Sequence, residues 1–163
     1  QREKAMAIYV KYEGIDGEVT HDDHKKWIEV SSLQWGVGRG ISTSSGATAN
    51  REASQPSISE VVITKMLDDS SSKLFTESVT GADGKKVEIH LVSTGSPGQT
   101  YVEYTLSESL ISGYSLSTGG DRPSESISIN FTKIEFKHTP HDKDNKAGTP
   151  VTVSYDLSTA KSG

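Results

Sequence analysis

Apolar and polar residues alternate along most of the chain, which is the pattern of half-buried β-strands. Turn residues such as Ala82-Asp83-Gly84 and Ser96-Pro97-Gly98 separate several of the alternating segments. The pattern predicts about eight strands, at Ala5–Glu13, Trp27–Trp35, Ile58–Met66, Val87–Ser93, Gln99–Ser107, Leu110–Ser117, Glu125–Lys137 and Pro150–Asp156.

The alternation changes phase within the segment Glu125–Lys137. Ile127, Ile129 and Phe131 share one parity, whereas Ile134 and Phe136 share the other. A β-bulge near Thr132-Lys133 would return both groups to one buried face. Such a long, bent strand is typical of a closed or nearly closed sheet.

One helix is predicted between the third and fourth strands. The run Asp68–Ser72 offers carboxylates and hydroxyls for an N-cap, and Gly81 fits the C-terminal stop. Leu74, Phe75, Ser78 and Val79 form a short stripe, so we expect Leu74 and Phe75 to pack against the sheet.

The segment Gly36–Ser57 has no usable period and is too polar to bury. Structureless loops longer than about 12–15 residues are uncommon in compact domains and are usually functional or disordered. We therefore expect a structureless loop here, and it points to a partner rather than a substrate.

Composition narrows the class of protein. The 163 residues fit one domain, residues 6–163, with residues 1–5 interpreted as a remnant of expression. A net charge of -5 argues against nucleic-acid and anionic-membrane partners, which need a basic surface. Without cysteine there is no disulfide or thiolate chemistry. No apolar run is long enough to span a bilayer, and no signal peptide is recognised. Serine (25) and threonine (15) favour strands and turns.

Two His-x-x-His motifs, His21/His24 and His138/His141, are the strongest candidates for chemistry. Imidazoles with aspartates nearby suit zinc, and a metal-dependent enzyme is one hypothesis. However, both motifs lie in predicted turns, where this spacing does not force the imidazoles together, so we expect solvated loops. His90 has no visible partner and is interpreted as structural. Since no catalytic constellation is convincing, a binding or structural protein without metal or cofactor is favoured over an enzyme.

Several motifs taken together resemble one family. They cover nearly all of the chain after Met6, in an order and spacing that are more specific than any single motif. They are Tyr9-x-Lys11, Gly17-Glu18, His24-Lys25-x-Trp27-Ile28-Glu29-Val30, Trp35-Gly36, Ile63-Thr64-Lys65-x-x-Asp68, Tyr104-x-Leu106, Leu110-Ile111-Ser112, Gly119-Gly120-Asp121-Arg122 and Glu125–Ile134. The set resembles the haemolysin-coregulated protein (Hcp) family, the inner tube of the bacterial type VI secretion system.

The resemblance implies an all-β fold, a small β-barrel of two packed antiparallel sheets with one flanking helix. It also implies that hexameric rings stack into a tube. Its partners would be a VgrG-type (valine–glycine repeat) spike, a contractile sheath and secreted effectors carried in the lumen. The protein would be made in the cytoplasm and exported without a signal peptide. A phage or phage-like tail tube, or another all-β binding module, is the alternative.

The resemblance also suggests functional residues. Position in the family pattern places Gln34, Ser112 and Ser115 in the lumen. The Gly36–Ser57 loop is our candidate for contact with the next ring. Within that loop the expected contact residues are Arg39, Ser42, Thr43, Ser44, Ser45, Gly46, Asn50 and Arg51.

Overall fold

The computed structural model describes residues 6–43, 51–93, 98–144 and 146–163. In this part of the chain, strands dominate and one α-helix, α1 (Ser71–Thr80), is formed. The strands are β1 (Met6–Tyr12), β2 (Ile28–Val30), β3 (Ser32–Gln34), β4 (Val37–Gly38), β5 (Ile41–Thr43), β6 (Arg51–Ala53), β7 (Ser57–Ile58), β8 (Val61–Met66), β9 (Lys85–Ser93), β10 (Gln99–Ser117), β11 (Ser124–Asn130), β12 (Lys133–His138), β13 (Val151–Asp156) and β14 (Lys161–Ser162).

Two antiparallel sheets share their longest strand, β10. The first sheet has the order β2-β1-β9-β10-β12-β13-β14. The second has the order β3-β8-β11-β10. Because β2 leads directly into β3 through Ser31, the two sheets are joined on that side as well. The predicted fold class, mainly β with two packed sheets and one flanking helix, is confirmed.

The core lies between the inner faces of the two sheets. Val10, Ile28 and Ile89 contribute from the first sheet, and Ile63 and Ile127 from the second, all of them fully buried. Burying a side chain of this size contributes roughly 1.5–3 kcal/mol. The alternation that predicted the strands therefore also separates the core face from the outer face of each sheet.

The predicted strand Glu125–Lys137 is two strands, and the bulge prediction was wrong. β11 ends at Asn130 and belongs to the second sheet, whereas β12 begins at Lys133 and belongs to the first. Phe131 and Ile134 are both buried, as the phase change suggested. The cause is a change of sheet between them and not a bulge.

Two strands were predicted at Gln99–Ser107 and Leu110–Ser117, but the structure has one continuous strand there, β10. Within β10, Glu108 has a positive φ of 52°, and the register with β9 shifts between Leu106 and Ser109. The predicted strand Trp27–Trp35 is split at Ser31 into β2 and β3, which lie in different sheets. Changes of sheet depend on pairing partners far away in sequence, so local periodicity does not mark them.

The helix begins and ends close to the predicted positions, and the Gly81 amide donates to the carbonyl of Glu77 (2.9 Å). Leu74 is buried in the core as expected. Phe75 is not: its side chain is 55% exposed, with its ring centroid 5.6 Å from that of Tyr114. The prediction that Phe75 packs in the core was wrong: the buried face of α1 follows Ser71 and Leu74, and Phe75 lies beside that face.

The segment Gly36–Ser57 was predicted to be structureless, and its described flanks contradict this. β4 pairs with β7, and β5 pairs with β6, as two short antiparallel ladders. Ser54 Oγ accepts from the Gly40 amide (2.9 Å), and Ser59 Oγ accepts from the Gly36 amide (2.8 Å). We call residues 36–43 with 51–58 the ribbon.

Candidate functional site

The outer face of the second sheet is lined by small hydroxyl residues. Ser32, Thr64, Ser126 and Ser115 stand opposite one another on β3, β8, β11 and β10. Their chain neighbours Ile63 and Ile127 point into the core, which fixes the hydroxyls on the other side. We call the set Ser32, Gln34, Thr64, Ser115, Ser117, Ser124, Ser126 and Ser128 the hydroxyl face; Val62 and Met66 lie among it.

The structure brings two of the three predicted lumen residues to this face. Gln34 is two residues from Ser32, and Ser115 faces Ser126, and both side chains are exposed. Ser112 lies at the edge, where the register shifts between Ile111 and Gly113. Its Oγ donates to Glu60 Oε2 (2.6 Å), so this hydroxyl already has a partner within the chain.

The predicted ring-contact residues are placed only in part. Arg39 and Ser42 are exposed on the ribbon, Thr43 lies in β5 and Arg51 in β6. The predictions for Ser44, Ser45, Gly46 and Asn50 lie outside the described residues.

The sequence analysis did not identify two exposed apolar residues on the ribbon. Val37 and Ile41 are each 57% exposed. They are four positions apart, so their shared parity was visible in the sequence, but their exposure was not. The ribbon therefore carries exposed apolar surface in addition to the predicted polar residues.

The Thr20–Trp27 stretch folds over the outer face of the first sheet, and the expectation of a solvated loop was wrong for His24. We call residues 19–27 the covering segment. His24 is only 2% exposed, with its ring 5.0 Å from that of Tyr9 and 4.7 Å from that of Trp27. The Lys26 amide donates to the Val19 carbonyl (2.8 Å) and closes the segment on itself.

The structure gives His90 two partners, although none was visible in the sequence. Its Nδ1 lies 2.9 Å from His24 Nε2, and its Nε2 lies 3.2 Å from Glu103 Oε1. At the other end, His21 Nδ1 lies 3.0 Å from His24 Nδ1. Burial lowers the pKa of both His24 and His90. The covering segment thus closes onto the sheet through a row of three imidazoles, of which the local motif showed the His21/His24 pair but not His90.

The two His-x-x-His motifs were the candidates for a metal centre. Within the residues that the structure describes, no group of three or more histidine, aspartate and glutamate side chains could hold a metal ion. His138 and His141 line a shallow depression with Met6 and Tyr101, apart from the His21/His24 pair. The described residues therefore do not form the three-ligand arrangement of a catalytic zinc site.

A buried charge network fastens α1 to the second sheet. The side chains of Lys65 and Glu125 are fully buried, and Lys65 Nζ lies 2.7 Å from Glu125 Oε1. The same ammonium donates to Asp68 Oδ1 (2.9 Å) and Ser71 Oγ (3.2 Å). Tyr114 donates to the second Glu125 oxygen. Lys65 has the same parity as Val61 and Ile63 in the predicted strand Ile58–Met66, but the sequence shows no sign of its partner Glu125.

The comparisons with known proteins identify the family. Residues 9–138, well over half of the chain, match the sequence profile described as "Type VI secretion system effector, Hcp". The chain belongs to the Hcp family. A relative in Pseudomonas aeruginosa, "Protein hcp1", is 27% identical over 161 residues, which cover 94% of this chain and 96% of the relative.

Solved structures agree with this family assignment. A "type six secretion system protein" shares 29% identity with a TM-score of 0.90, covering 98% of this chain and all of that one. Hcp1 from Salmonella typhimurium has the same fold at 22% identity, with a TM-score of 0.79 and coverages of 98% and 99%. A baseplate structure of the anti-feeding prophage is more distant, at 7% identity and a TM-score of 0.52, covering 83% and 94%.

Family membership settles the broad function. The Hcp family consists of structural tube proteins of the type VI secretion system, and this chain is such a tube component and not an enzyme. Among the described residues, no helix has the length and apolar character needed to cross a bilayer.

Proposed function

We propose that this chain forms six-membered rings that stack into the expelled inner tube, with residues 6–163 as one domain and the hydroxyl face lining the lumen. The observation that carries the proposal is the uncharged row Ser32-Thr64-Ser126-Ser115 across four strands, exposed at Ser32 and Ser115 and half-buried at Thr64 and Ser126. Ile63 and Ile127 on the other face of these strands are buried in the core, so the hydroxyl face is the side of this sheet that can contact cargo.

A neutral hydroxyl wall suits a passage for many different proteins. Serine and threonine hydroxyls both donate and accept hydrogen bonds, so they can satisfy varied polar surfaces. They carry no charge that would bind one class of cargo tightly or repel another. We propose that Gln34 and Ser115 contact cargo directly, and that Ser112 does so at the edge of the face.

The ribbon is our candidate for contact between rings. Its end at Ile58 packs against the core, whereas Val37 and Ile41 are exposed on it beside Arg39 and Ser42. A head-to-tail contact closes into a ring when its rotation permits, and a second such contact along the axis extends the ring into a tube. The ribbon supplies the apolar surface for that second contact.

The remaining partners follow from the family's role. We propose that a VgrG-type spike caps the stacked rings, that a contractile sheath surrounds them, and that secreted effectors travel in the lumen. The protein would be made in the bacterial cytoplasm and leave through the machine that it builds. No nucleic acid and no membrane insertion is part of this role.

Light scattering and negative-stain microscopy of the purified protein test the ring, which should appear six-membered with a central hole. Ser115→Trp should reduce effector co-purification while leaving the ring intact. Thr152→Trp, also an exposed strand hydroxyl but on β13 of the first sheet, is the matched control. Unchanged cargo binding in Ser115→Trp would remove the hydroxyl face from the lumen.

The double variant Val37→Ser/Ile41→Ser tests the ribbon. It should leave rings intact but shorten or abolish stacks, because it removes exposed apolar surface without touching the core. Microscopy at matched protein concentration provides the measurement. If the rings fell apart instead, the ribbon would belong to the contact within a ring.

The similarity to the anti-feeding prophage baseplate supports a second candidate, a tail tube of a phage-like particle. That similarity shows a shared fold only, whereas the family match covers residues 9–138. Neighbouring genes separate the two: a sheath and an ATPase favour the secretion system, and capsid genes favour a phage.

A further inference from the structure

The row of imidazoles between the covering segment and the first sheet has a fixed polarity. Glu103, at one end, presents carboxylate oxygens that only accept, so His90 Nε2 must donate to it. A neutral imidazole has one N–H, and His90 Nδ1 therefore accepts from His24 Nε2. By the same argument His24 Nδ1 accepts from His21 Nδ1. One carboxylate thus sets the tautomers of all three rings.

This row can take up one proton without losing a hydrogen bond. A proton on His21 leaves every other ring unchanged, and a proton on His24 or His90 only reverses the direction of the bonds between it and His21. A second proton cannot be added without losing a hydrogen bond. If two neighbouring rings are protonated, two N–H groups face each other and their hydrogen bond is lost. If His21 and His90 are both protonated, His24 would have to accept at both nitrogens, which an imidazole that keeps its one proton cannot do.

We propose that His21, His24 and His90 titrate as one unit that holds a single proton, and that a second proton releases the covering segment from the sheet. The segment would then be an acid-sensitive latch. It closes over Tyr9 and His90 at neutral pH and buries His24 and Trp27. It opens in acid, when the three imidazoles bind a second proton. This latch is independent of the proposed ring and tube.

The surroundings do not replace the missing hydrogen bonds. Burial lowers the pKa of His24, as do His90 and His21, while Asp23 and Glu103 oppose this more weakly. Burial also lowers the pKa of His90, Lys137 adds to it, and Glu103 and Glu88 oppose it. The groups that face the row are Tyr9 on β1, Asp23 in the segment, Glu29 on β2, Glu88 on β9, Glu103 on β10 and Lys137 on β12.

The sign of the pH effect follows from the neutral forms. A histidine that stays neutral in the closed latch but titrates at its ordinary value of 6.5 when released stabilises closure above that value. Stability is lost as pH falls below it. With at least two rings held neutral, the closing equilibrium constant should drop at least roughly 50-fold between pH 6 and pH 5.

Imidazole NMR counts the protons. The chain has five histidines, so single substitutions assign every ring signal. From pH 8 to the onset of opening, His21, His24 and His90 should take up no more than one proton in total, with a shared midpoint. His138 and His141 serve as internal references. Three independent full titrations in the cluster while the Trp27 signals stay unchanged would overturn the proposal.

Hydrogen exchange of the full-length protein measures the latch. The Lys26 and Trp27 amides donate to Val19 and His24 carbonyls, so their protection factors report closure. In His21→Gln, which keeps a donor toward His24 but takes no proton, the pH dependence should be about eightfold weaker than in the wild type. His138→Gln should match the wild type. His21→Phe makes the same prediction if the glutamine variant is unstable.

Two results of the exchange experiment would contradict the latch. The first is a wild-type protection factor that changes less than about threefold between pH 6 and pH 5, because at least two neutral rings require far more. The second is an equal pH dependence in the wild type and in a folded His21 variant, which would show that His21 is not part of the titrating unit.

Discussion

Lys65→Met is expected to lower the free energy of unfolding by about 3–5 kcal/mol, the usual result of removing one partner of a buried ion pair. Lys65 and Glu125 face each other on β8 and β11, and neither side chain is exposed. Methionine nearly preserves the volume of lysine, so the loss reflects the uncompensated carboxylates of Glu125 and Asp68 rather than a cavity.

The contacts place the loss toward the lower end of that range. Without the ammonium, Glu125 still accepts from Ser71 Oγ (2.6 Å) and from Tyr114. Asp68 Oδ1 still accepts from the Ser70 amide (2.9 Å). We therefore expect about 3 kcal/mol, which is a large part of the 5–15 kcal/mol that stabilises a typical domain.

Urea unfolding followed by circular dichroism measures the loss. Protein concentration must be equal in all samples, because assembly stabilises the folded state by mass action. Lys86→Met is the matched control: Lys86 pairs with Glu88 at 2.7 Å but is 59% exposed, so its removal should cost less than about 1 kcal/mol. If Lys65→Met cost no more than Lys86→Met, the network would not hold the helix to the sheet.

Acid gives an independent check on the same network. Burial acts to raise the pKa of Glu125, but hydrogen bonds from Lys65, Ser71 and Tyr114 outweigh it, and the net pKa lies below the ordinary 4.5. The stabilisation is therefore present above pH 4.5 and is lost as pH falls through the folded value. Lys65→Met should flatten this loss, and an unchanged acid profile would contradict the assignment.

Three smaller changes test the packing around this framework. Gly17→Ala should loosen the covering segment, because the added Cβ would lie 2.8 Å from Ile28 Cα; unchanged hydrogen exchange of its amides would contradict this. Leu74→Ala should cost about 2–5 kcal/mol in urea unfolding, but Phe75→Ala no more than about 1, and equal losses would refute the assigned helix orientation. Tyr12→Phe should not lower the melting temperature, because its buried hydroxyl has no hydrogen-bond partner among the described residues.

Local pattern predicted what depends on local structure. The alternation in β8, β9 and β11 gave their positions and core faces, and the run Asp68–Ser72 gave the start of α1. It did not predict the changes of sheet at Ser31 and Thr132, nor the continuity of β10 through Glu108. Those features are set by pairing between strands that are distant in sequence, which periodicity does not record.

The candidate site shows the same division. Gln34 and Ser115 were assigned to the lumen from the family pattern. Strand register places them on one exposed face, and their position in a lumen stays a prediction. The partner of Lys65 is 60 residues away, and His24 meets His90 across 66 residues. For the partner of Lys65, the available signal was a lysine in an apolar strand. For the contact between His24 and His90, the local sequence offered no signal.

Electron cryomicroscopy of the purified, assembled protein tests the central claim most directly. The account predicts a six-fold ring in which the row Ser32-Thr64-Ser126-Ser115 faces the central hole and the ribbon reaches toward the neighbouring ring. A ring with that row on its outside or buried between subunits would contradict the account. So would a protein that stays monomeric at every concentration tested.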